Sequence, residues 1–578
     1  MSAPAIEPLL DSDVVSIPRV LRGSRILCEA LIREGVDTVF GYPGGAVLHI
    51  YDDLAKVSDR LRHVLARHEQ GAIHMAEGYA KATGKVGVAL VTSGPGATNA
   101  VTGIANAFMD STPLVVITGQ VPTKMIGSDA FQEVDTVGIT RPCTKYNYLV
   151  DRVEDLATVI KEAFYIASTG RPGPVVIDIP KDVSGTPAEF DYPDEINLRS
   201  YDPVQEPDEA QVQRAVELIR NARRPLLYVG GGIVHSNASA ELIEFAERLS
   251  IPVTPTLMGL GAFPSGHKLS LGMLGMHGTY WANMAISDAD VIAAIGVRFD
   301  DRVTGALEKF APHARIVHVD IDESSIDKNV KVEVRVVGDA RTVLHRMLAA
   351  TAREPGDRLD SWWRQIDEWK QLAPLSSARS DRVIMPQHLL DELRQLTAPD
   401  AIVATDVGQH QMWLAQYYPF SGPRLSLTSG GLGTMGFGFP AALGAQLAFP
   451  SRQVIAFVGD GGFQMTSQEL ACAVQYGTNV KIIIMNNNFL GMVRQWQEIF
   501  YDGNYSHVCT AGLPDFVKLA EAYGATGLRV SRPEELKEVL ERGLNTPGVV
   551  VMDVVVAEEE NVFPMIPPGA GLKEMVLG

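Results

Sequence analysis

The chain has 578 residues, 53 of them glycine, and a formal net charge of −19 at pH 7. A chain of this length exceeds what one hydrophobic core supports, so we expect three or four domains. The acidic balance argues against nucleic acid or an acidic membrane surface as a partner, while small anionic substrates stay open. No uninterrupted apolar stretch reaches the ~20 residues that a membrane-spanning helix needs, so we expect no membrane association.

The N-terminus and the cysteines indicate the cellular compartment of the protein. Residues 1–17 hold three acidic side chains and no Lys or Arg, unlike a secretory signal or an Arg-rich transit peptide. Four widely separated cysteines include no C-x-x-C pair, so a reducing compartment is the default: Cys28, Cys143, Cys472 and Cys509. The sequence therefore predicts a flexible leader at 1–17 on a cytoplasmic protein.

Two linker-like segments divide the rest of the chain into three blocks of similar size. The first, 186–210, has no sustained periodicity, and the second is charged at 352–359 and continues as a helical stretch around Trp362 and Trp363. Each block alternates strand-like apolar runs with helical patterns, which predicts three α/β domains with doubly wound parallel sheets. The predicted boundaries are a first domain at 18–185, a linker at 186–210, a central domain at 211–350, a linker at 351–383, a third domain at 384–557 and a tail at 558–578.

The first block contains a βαβ unit and a glutamate at a strand-to-helix junction. The unit consists of strand 88–92, the turn Ser-Gly-Pro-Gly at 93–96, a helix and strand 114–117. Glu69 lies in the stretch RHEQGA at 67–72, where a short strand gives way to a helix. On these residues alone, Glu69 is explained as an ordinary first-turn acid that interacts favourably with the helix dipole.

The central block has three apolar runs that each end in Gly or Asp. Residues 225–229 lead into Gly230, Gly231 and Gly232, residues 291–295 end at Gly296, and residues 316–319 end at Asp320. Such strand ends are typical of a nucleotide-binding sheet, with the acid placed for a ribose hydroxyl. Because the full G-x-G-x-x-G motif is absent, a purely structural domain explains these residues equally well.

The third block places two polar elements at the ends of neighbouring strands. Asp460 follows the apolar run 454–458, and Asn487 follows 480–485 across a helix-length gap. The segment 466–469 (TSQE) fits a capping box, so we expect a helix to start there. Parallel strands joined in this way are adjacent and lie roughly 5 Å apart, which brings Asp460 and Asn487 to one edge of the sheet.

The residue types at this edge suit a magnesium–diphosphate site. Carboxylate and amide oxygens are ligands that Mg²⁺ prefers, and the diphosphate supplies further oxygens. The backbone N–H groups of Gly461 and Gly462 offer an anion cradle at the start of a helix. The spacing repeats that of the first block, which predicts two related sheet domains, although any doubly wound fold repeats βαβ units.

Several motifs of the chain together resemble one family. The pair GDGG (459–462 region) and NNN (486–488) resembles the signature of thiamine-diphosphate (ThDP) enzymes, and RHEQGA resembles the stretch that holds their cofactor-activating glutamate. The resemblance narrows to the large, catalytic subunit of acetohydroxyacid synthase (acetolactate synthase) and covers nearly the whole chain. The motifs that carry it are 41–46 (GYPGGA), 93–99 (SGPGATN), 130–133 (AFQE), 275–278 (GMHG), 298–305 (RFDDRVTG) and 491–496 (GMVRQW).

The resemblance implies an activity and its cofactors. Such an enzyme uses ThDP and Mg²⁺ to decarboxylate pyruvate and transfers the two-carbon unit to a second pyruvate or to 2-ketobutyrate. The products are 2-acetolactate and 2-aceto-2-hydroxybutyrate, on the route to branched-chain amino acids. The central domain would hold FAD that takes no part in net redox chemistry. The partners implied are a second copy of the chain, with a tetramer left open, and a separate small regulatory subunit.

The resemblance also implies roles for individual residues. Glu69 would hydrogen-bond the aminopyrimidine of ThDP from a poorly solvated pocket, and Met435 would wedge the cofactor into its bent shape. Arg302 would bind the carboxylate of the second ketoacid, and Trp496 would offer an apolar face to an extra methyl group. Gln132 and Gly45 would line the same cavity, and Lys181 matches a position near the channel where inhibitors of the family bind.

The remaining residues implied by the resemblance fall into three groups. The ThDP group contains Gly408, Gln409, His410, Gly433, Asp460, Gly461, Gly462, Asn487 and Met492. The metal group contains Asp460, Asn487 and the backbone carbonyl of Phe489. The FAD group contains Arg171, Gly230, Gly231, Gly232, Leu274, Gly275, Met276, His277, Gly296, Arg298, Asp300, Asp320 and Asp339.

Two alternatives remain open at this stage. A flavin-dependent pyruvate oxidase shares the three-block plan but passes electrons to the flavin. A regulatory relative that binds ThDP without turnover is a second possibility, against which Glu69, Asp460 and Asn487 argue. The motifs around Arg302 and Trp496 favour the synthase.

Overall fold

The computed structural model describes residues 19–199, 201–203, 206–352 and 357–578. The predicted leader at 1–17 lies outside the described residues. Three parallel sheets flanked by helices form three α/β domains, which confirms the predicted fold class. None of the described helices is both long enough and apolar enough to cross a membrane.

The first domain is built on a six-stranded parallel sheet in the order β3-β2-β4-β5-β7-β6. Its buried strands are near-continuous apolar runs because helices cover both faces. Its elements are β1 (Val20–Arg22), α1 (Gly23–Arg33), β2 (Thr38–Gly41), α2 (Leu48–Lys56), β3 (Arg62–Leu65), α3 (Glu69–Thr83), β4 (Gly87–Val91), α4 (Pro95–Met109), β5 (Leu114–Gln120), α5 (Thr136–Thr140), β6 (Tyr146–Leu149), α6 (Leu156–Ser168), β7 (Pro174–Pro180), α7 (Lys181–Gly185) and β8 (Pro187–Glu189).

The central domain has a five-stranded parallel sheet in the order β10-β9-β11-β12-β13. The strand order reverses between β9 and β11, where open α/β sheets bind ligands. Its elements are α8 (Glu209–Asn221), β9 (Pro225–Val229), α9 (Gly231–His235), α10 (Ser239–Leu249), β10 (Val253–Pro255), α11 (Tyr280–Asp288), β11 (Val291–Ile295), α12 (Asp301–Thr304), β12 (Arg315–Asp320), β13 (Val334–Val337), α13 (Ala340–Ala349) and α14 (Asp360–Leu372).

The third domain has a six-stranded parallel sheet in the order β15-β14-β16-β17-β19-β18. Its elements are α15 (Pro386–Leu396), β14 (Ile402–Thr405), α16 (Gln409–Tyr417), β15 (Ser426–Leu427), α17 (Gly438–Ala448), β16 (Val454–Gly459), α18 (Asp460–Thr466), α19 (Leu470–Gln475), β17 (Lys481–Asn486), α20 (Gly491–Phe500), α21 (Phe516–Ala522), β18 (Thr526–Val530), α22 (Leu536–Asn545) and β19 (Val550–Val555). Short 3₁₀ turns lie at Gly45–Val47, Thr123–Met125, Arg141–Cys143, Val153–Asp155, Leu257–Gly259, Leu307–Lys309, Glu323–Ser325, Ser467–Glu469 and Pro533–Glu535.

The first and third sheets share one topology. When the strands of each sheet are counted in chain order from β2 and from β14, both sheets follow the order 2-1-3-4-6-5. The central sheet follows 2-1-3-4-5 instead. The identical order of six strands confirms the prediction of two related sheet domains, which βαβ spacing alone left open.

The first and third domains pack on each other through α3 and α17. A methyl group at Gly78 would lie 2.0 Å from the carbonyl oxygen of Ala441, and one at Gly444 would lie 1.9 Å from that of Met75. Such distances allow only glycine, so the two helix backbones are in direct contact. Buried side chains of both domains form one continuous apolar cluster around this contact.

Both predicted linker segments contain ordered elements. In 186–210, β8 pairs with β1 in a two-stranded antiparallel sheet. In 351–383, α14 buries Trp362, whose indole N–H donates to the carbonyl of Pro225 in the central domain at 3.1 Å. The exact boundaries of the domains stay predictions.

The predicted capping box at 466–469 is wrong. The helix after β16 already begins at Asp460, and Thr466 makes no side-chain capping bond to the 3₁₀ turn that follows it. The Thr466 hydroxyl donates instead to the carbonyl of Gly436 at 3.1 Å. Glu469, the second half of the predicted box, accepts a hydrogen bond from the backbone N–H of Arg67 in the first domain.

Candidate active site

The ends of β16 and β17 form the centre of the site. The two strands pair in parallel with Gly459 opposite Met485, so Asp460 and Asn487 emerge from neighbouring strands as predicted. The Asp460 carboxylate accepts hydrogen bonds from the N–H of Gly461 at 2.8 Å and from the Thr510 hydroxyl at 3.2 Å. These contacts hold the carboxylate at the carboxyl edge of the sheet.

The donor set at this edge suits a hard divalent cation. Burial raises the pKa of Asp460 from 3.8 to about 6, because few groups other than two hydrogen-bond donors compensate its charge. The amide of Asn487 is also buried, and Phe489 follows it within the same cavity. A carboxylate, an amide oxygen and a backbone carbonyl are ligands that Mg²⁺ accepts, so the residues fit the predicted metal.

One small cavity collects most of the residues predicted to hold ThDP. Asp460 and Asn487 line it together with Gly408, Gln409, His410, Met435, Gly461, Gly462, Phe489 and Met492. Burial lowers the pKa of His410 to about 3, so its imidazole is neutral. Within the described residues, Nε2 of this buried ring has no hydrogen-bond partner, as expected of a group that faces a polar ligand.

A larger cavity of about 810 Å³ lies where the three domains meet, with Met109, Asp110 and Ser111 of the first domain on its wall. Met435 and Met492 line both cavities, so the larger one continues from the predicted ThDP site. Arg302 and Trp496, predicted for the second substrate, line it as well. Eight residues of the predicted FAD group also line it: Gly231, Gly232, Leu274, Met276, His277, Gly296, Arg298 and Asp300. Gly408 and Gly433 of the predicted ThDP group do so as well.

Glycines let two loops of the central domain meet at this cavity. A methyl group at Gly230 would lie 2.3 Å from the carbonyl oxygen of Gly296, and one at Gly232 would lie 2.5 Å from its Cα. The backbones of the loops after β9 and β11 therefore touch at the switch point of the sheet. Glycine at these positions allows this close approach, and the switch point is where open α/β sheets bind ligands.

Five predicted FAD residues do not line this cavity, Gly230 among them. Arg171 donates to the hydroxyl of Ser111, a residue of the cavity wall, at 2.9 Å. Asp339 caps α13 by accepting from the N–H groups of Arg341 and Thr342. Asp320 and Gly275 complete this group, and burial raises the pKa of Asp320 to about 6.

The catalytic residues predicted in the first domain line neither of these two cavities. The Asn99 amide donates to the Glu69 carboxylate at 3.0 Å, and Glu69 is only 9% exposed. A methyl group at Gly94 would lie 2.8–3.0 Å from the backbone of Gln132, so the Ser-Gly-Pro-Gly turn packs on the Gln132 loop. Among the residues that the structure describes, those lining the two cavities include none of Glu69, Gln132, Gly45 and Lys181.

Three models of thiamine pyrophosphate enzyme domains match the chain in succession. The N-terminal TPP-binding domain matches residues 21–139, the central domain matches 212–347, and the C-terminal TPP-binding domain matches 406–554. The chain is therefore similar to thiamine pyrophosphate enzymes across all three sheets.

Curated relatives narrow the family. The acetolactate synthase large subunit of Haemophilus influenzae is 50% identical over 563 residues, which cover 96% of this chain and 98% of the relative. The acetolactate synthase isozyme 3 large subunit of Escherichia coli K12 is 50% identical over 567 residues, 96% of this chain and 99% of the relative. The chain belongs to the acetolactate synthase large-subunit family. The acetolactate synthase of Mycobacterium leprae, 48% identical over 96% of this chain, extends the same likeness.

This acetolactate synthase family member uses a buried acid that the sequence did not single out. Asp406 follows β14 and accepts from the N–H groups of Val407, Gly436 and Gly438 at 2.7–3.3 Å, which shapes the turn after Met435. A methyl group at Gly462 would lie 2.8 Å from this carboxylate. The strand-end position that revealed Asp460 could also have revealed Asp406.

Thr510 was missed as well, because no local pattern in the sequence points to it. Its hydroxyl donates to Asp460, and its N–H donates to the carbonyl of Asn488 at 2.8 Å. The loop before α21 therefore supports the Asp460 carboxylate from a position distant in the chain. Such a contact depends on where a long loop folds back.

Proposed function

We propose that the chain is the catalytic subunit of an acetohydroxyacid synthase. It converts two molecules of pyruvate into 2-acetolactate and CO₂, and pyruvate with 2-ketobutyrate into 2-aceto-2-hydroxybutyrate. One observation carries the proposal: Met435 and Met492 share a single cavity with Arg302 and Trp496. The residues implied for the cofactor thus face the residues implied for the second ketoacid.

The third domain holds Mg²⁺ and the diphosphate of ThDP in this proposal. Asp460, the Asn487 amide oxygen and the Phe489 carbonyl would hold the cation, and the N–H group of Gly462 would face the phosphates, since that of Gly461 donates to Asp460. Met435, on the wall of the same cavity, would pack against the cofactor. When bound, ThDP supplies the carbon nucleophile and the electron sink for decarboxylation, so no side chain has to act as nucleophile.

Side chains in the large cavity select and orient the second substrate. The Arg302 guanidinium is suited to a ketoacid carboxylate, which it can bind through two parallel hydrogen bonds. The Trp496 indole packs on Phe500 at a ring-centre distance of 5.3 Å and presents an apolar face to the acceptor. One methylene in such a pocket is worth ~1–3 kcal/mol, enough for a preference between pyruvate and 2-ketobutyrate.

The proposed active site needs a second copy of the chain. Glu69, Gln132, Gly45 and Lys181 carry the pyrimidine side of the site in the first domain, away from the two cavities. The neighbouring Phe131 is 88% exposed, and so large an exposed ring supports a protein contact at this surface. We infer a homodimer at least, in which the first domain of one copy completes the third domain of its partner.

The central domain is proposed to bind FAD along the large cavity. Gly230, Gly232 and Gly296 meet at the switch point of the central sheet, where open α/β sheets bind ligands, and Arg298 and Asp300 line the cavity. The flavin would take no part in net redox chemistry in this proposal. The relatives from Haemophilus influenzae and Escherichia coli are named as large subunits, from which we propose a separate small regulatory subunit. All four cysteines are free thiols in the described chain, which supports a cytoplasmic location.

Product analysis under anaerobic conditions tests the function. In the absence of oxygen, the purified chain with ThDP, Mg²⁺ and FAD should form acetolactate from pyruvate without reducing an added quinone. Competition between both ketoacids, with and without added FAD, would quantify the two products. Electron transfer from pyruvate to a quinone with no acetolactate would support a pyruvate oxidase instead, and cofactor binding without turnover would support a regulatory relative.

A further inference from the structure

Three buried amide side chains link the metal-binding loop to the C-terminal tail. The Nδ2 group of Asn487 donates to Oε1 of Gln409 at 3.3 Å. The Nε2 group of Gln409 donates to Oε1 of Gln495 at 2.9 Å. Gln495 is fully buried on α20, and Gln409 is 3% exposed at the start of α16. The row therefore runs from the proposed cation ligand into the protein, away from the cavity.

The tail fixes the orientation of the Gln495 amide. The backbone N–H of Val562 donates to Oε1 of Gln495 at 2.8 Å, and Nε2 of Gln495 donates to the carbonyl of Val562 at 3.1 Å. A backbone N–H can only donate and a backbone carbonyl can only accept. If the nitrogen and oxygen of Gln495 exchanged places, its NH₂ group would face the N–H of Val562 and its oxygen would face the carbonyl of Val562. Only the observed orientation of the amide therefore satisfies both hydrogen bonds.

The orientation of the Gln495 amide determines the orientations of the Gln409 and Asn487 amides. Gln495 presents its oxygen to Gln409, whose Nε2 also donates to the carbonyl of Glu560 at 3.0 Å. The oxygen of Gln409 must then face Asn487 and accept from its nitrogen. The oxygen of Asn487 consequently faces the other way, where it accepts from the N–H of Phe489 at 3.2 Å and keeps a second lone pair.

Packing holds the row and the tail together. A methyl group at Gly491 would lie 2.1 Å from Oε1 of Gln409 and 2.7 Å from Nδ2 of Asn487, so only glycine lets these amides meet. Buried Arg494 donates to the carbonyl of Glu559 and to the side chain of Asn561, both at 2.8 Å. These bonds keep the tail beside α20.

We propose that Gln495 is a positioning residue that sets the amide orientation of Asn487, so that its oxygen rather than its NH₂ group faces the divalent cation. A cation accepts the oxygen and is repelled by the amide hydrogens. The inference rests on the proposed function, since it assumes that Asn487 binds the metal. It adds to that function a residue that touches neither metal nor cofactor.

Metal affinity of full-length Gln495→Leu tests the proposal directly. Binding of Mn²⁺ at saturating ThDP, followed by electron paramagnetic resonance, should weaken about 10- to 100-fold, the usual effect of losing a group that orients a metal ligand. The matched control is Gln446→Leu, because Gln446 is buried in the same domain and donates to three backbone carbonyls away from the site. The control should bind Mn²⁺ within about twofold of wild type. An equal loss in both variants, or no loss in Gln495→Leu, would overturn the proposal.

A conservative variant guards against a folding defect. Gln495→Glu, protonated through burial, keeps an acceptor for Gln409 and a donor for Val562. It should bind Mn²⁺ more tightly than Gln495→Leu does. Equal affinities of the Glu and Leu variants would show that size and packing, rather than amide orientation, set the metal site.

The variant Asn487→Asp separates the effect of amide orientation on metal binding from the effect of packing. Both side-chain oxygens of an aspartate can bind the cation, so the row no longer has an orientation to set. Adding Gln495→Leu in this background should leave Mn²⁺ affinity unchanged or improve it, because Gln409 is then free to donate to the carboxylate. The same loss in both backgrounds would contradict the proposal. Wild-type protein that binds neither Mn²⁺ nor ThDP would instead reject the proposed function itself.

Discussion

At the scale of single residues, Glu69 separates cofactor activation from cofactor binding. Its carboxyl group is nearly buried and receives a hydrogen bond from Asn99. The groups proposed to face the diphosphate and the metal lie in another domain, around Asp460 and Asn487. Losing the acid should therefore affect catalysis far more than binding.

The variant Glu69→Gln should retain Mg²⁺–ThDP and lose most carboligation. Glutamine keeps the shape and an acceptor for Asn99 but cannot exchange a proton with the pyrimidine ring, and such groups contribute about 10²- to 10⁴-fold to rates. The check combines ThDP affinity by calorimetry with the rate of acetolactate formation. Full activity in this variant would contradict the assigned role.

A second buried acid, Glu469, forms a hydrogen bond between the third and first domains, and its ionisation makes the stability of the protein depend on pH. It accepts from the backbone N–H of Arg67, and a methyl group at Gly71 would lie 2.4 Å from its oxygen. Burial raises the pKa of Glu469 from 4.5 to about 7. The unfolded chain therefore releases this proton at lower pH than the folded protein does, and the folded state loses stability as pH rises between these values.

The variant Glu469→Gln should become more stable relative to wild type as pH rises from about 4.5 to about 7. Above about pH 7 the variant should gain no further stability over wild type. The total gain should be about 1.4 kcal/mol for each unit by which folding raises the pKa of Glu469. Urea midpoints of both proteins at several pH values measure the difference, in which other titrating groups cancel. A difference that does not change with pH would show that Glu469 is not buried as described.

Residue-level prediction from sequence succeeded where a strand end fixes a position. Asp460 and Asn487 were predictable because parallel strands joined by one crossover bring their carboxyl ends to one edge. Met435, Arg302 and Trp496 required the family resemblance, since an isolated Met or Trp is most often core. Glu469 was misassigned to a helix cap, because its partner Arg67 lies about 400 residues away along the chain.

At the scale of elements, α3 and α17 hold the first and third domains of one chain together. Gly78 and Gly444 let the two backbones touch, so the contact has no room for even one methyl group. Glu69 begins α3, and Met435 lies just before α17. The packing of these helices consequently fixes where both site residues are placed.

The variants Gly78→Ala and Gly444→Ala should each destabilise the protein by about 3 kcal/mol or more, because overpacking forces the two backbones apart. Gly422→Ala is the matched control, since a methyl group at Gly422 would meet no atom within 4 Å. Thermal unfolding of the three variants measures the effect. Equal melting temperatures for Gly78→Ala and Gly422→Ala would contradict the described helix contact.

Helices and strands were predictable from apolar runs, whereas their termini and their contacts between domains were not. The apolar run 480–485 predicted β17, which the structure places at Lys481–Asn486. The helical stretch expected around Trp362 is helix α14; it was assigned to a linker, but its Trp362 and Ile366 belong to the core of the central domain. A linker and a helix on a domain surface have similar compositions.

At the scale of the whole molecule, the same six-stranded topology occurs twice and divides the work. In the proposed function, the third domain provides the metal and diphosphate side, and the first provides the acid that activates the cofactor. Within the described chain, Glu69 lines neither of the two cavities. The central claim is that two copies of the chain bring these halves together.

Mixing two inactive variants tests this claim most directly. Glu69→Gln lacks the acid but keeps the metal site, and Asp460→Ala lacks the metal site but keeps the acid. If each site draws one half from each subunit, co-refolded hybrid dimers contain one intact site of two, and random mixing restores about a quarter of wild-type acetolactate synthesis. If both halves came from one chain, no hybrid would contain an intact site, and the mixture would stay as inactive as its components.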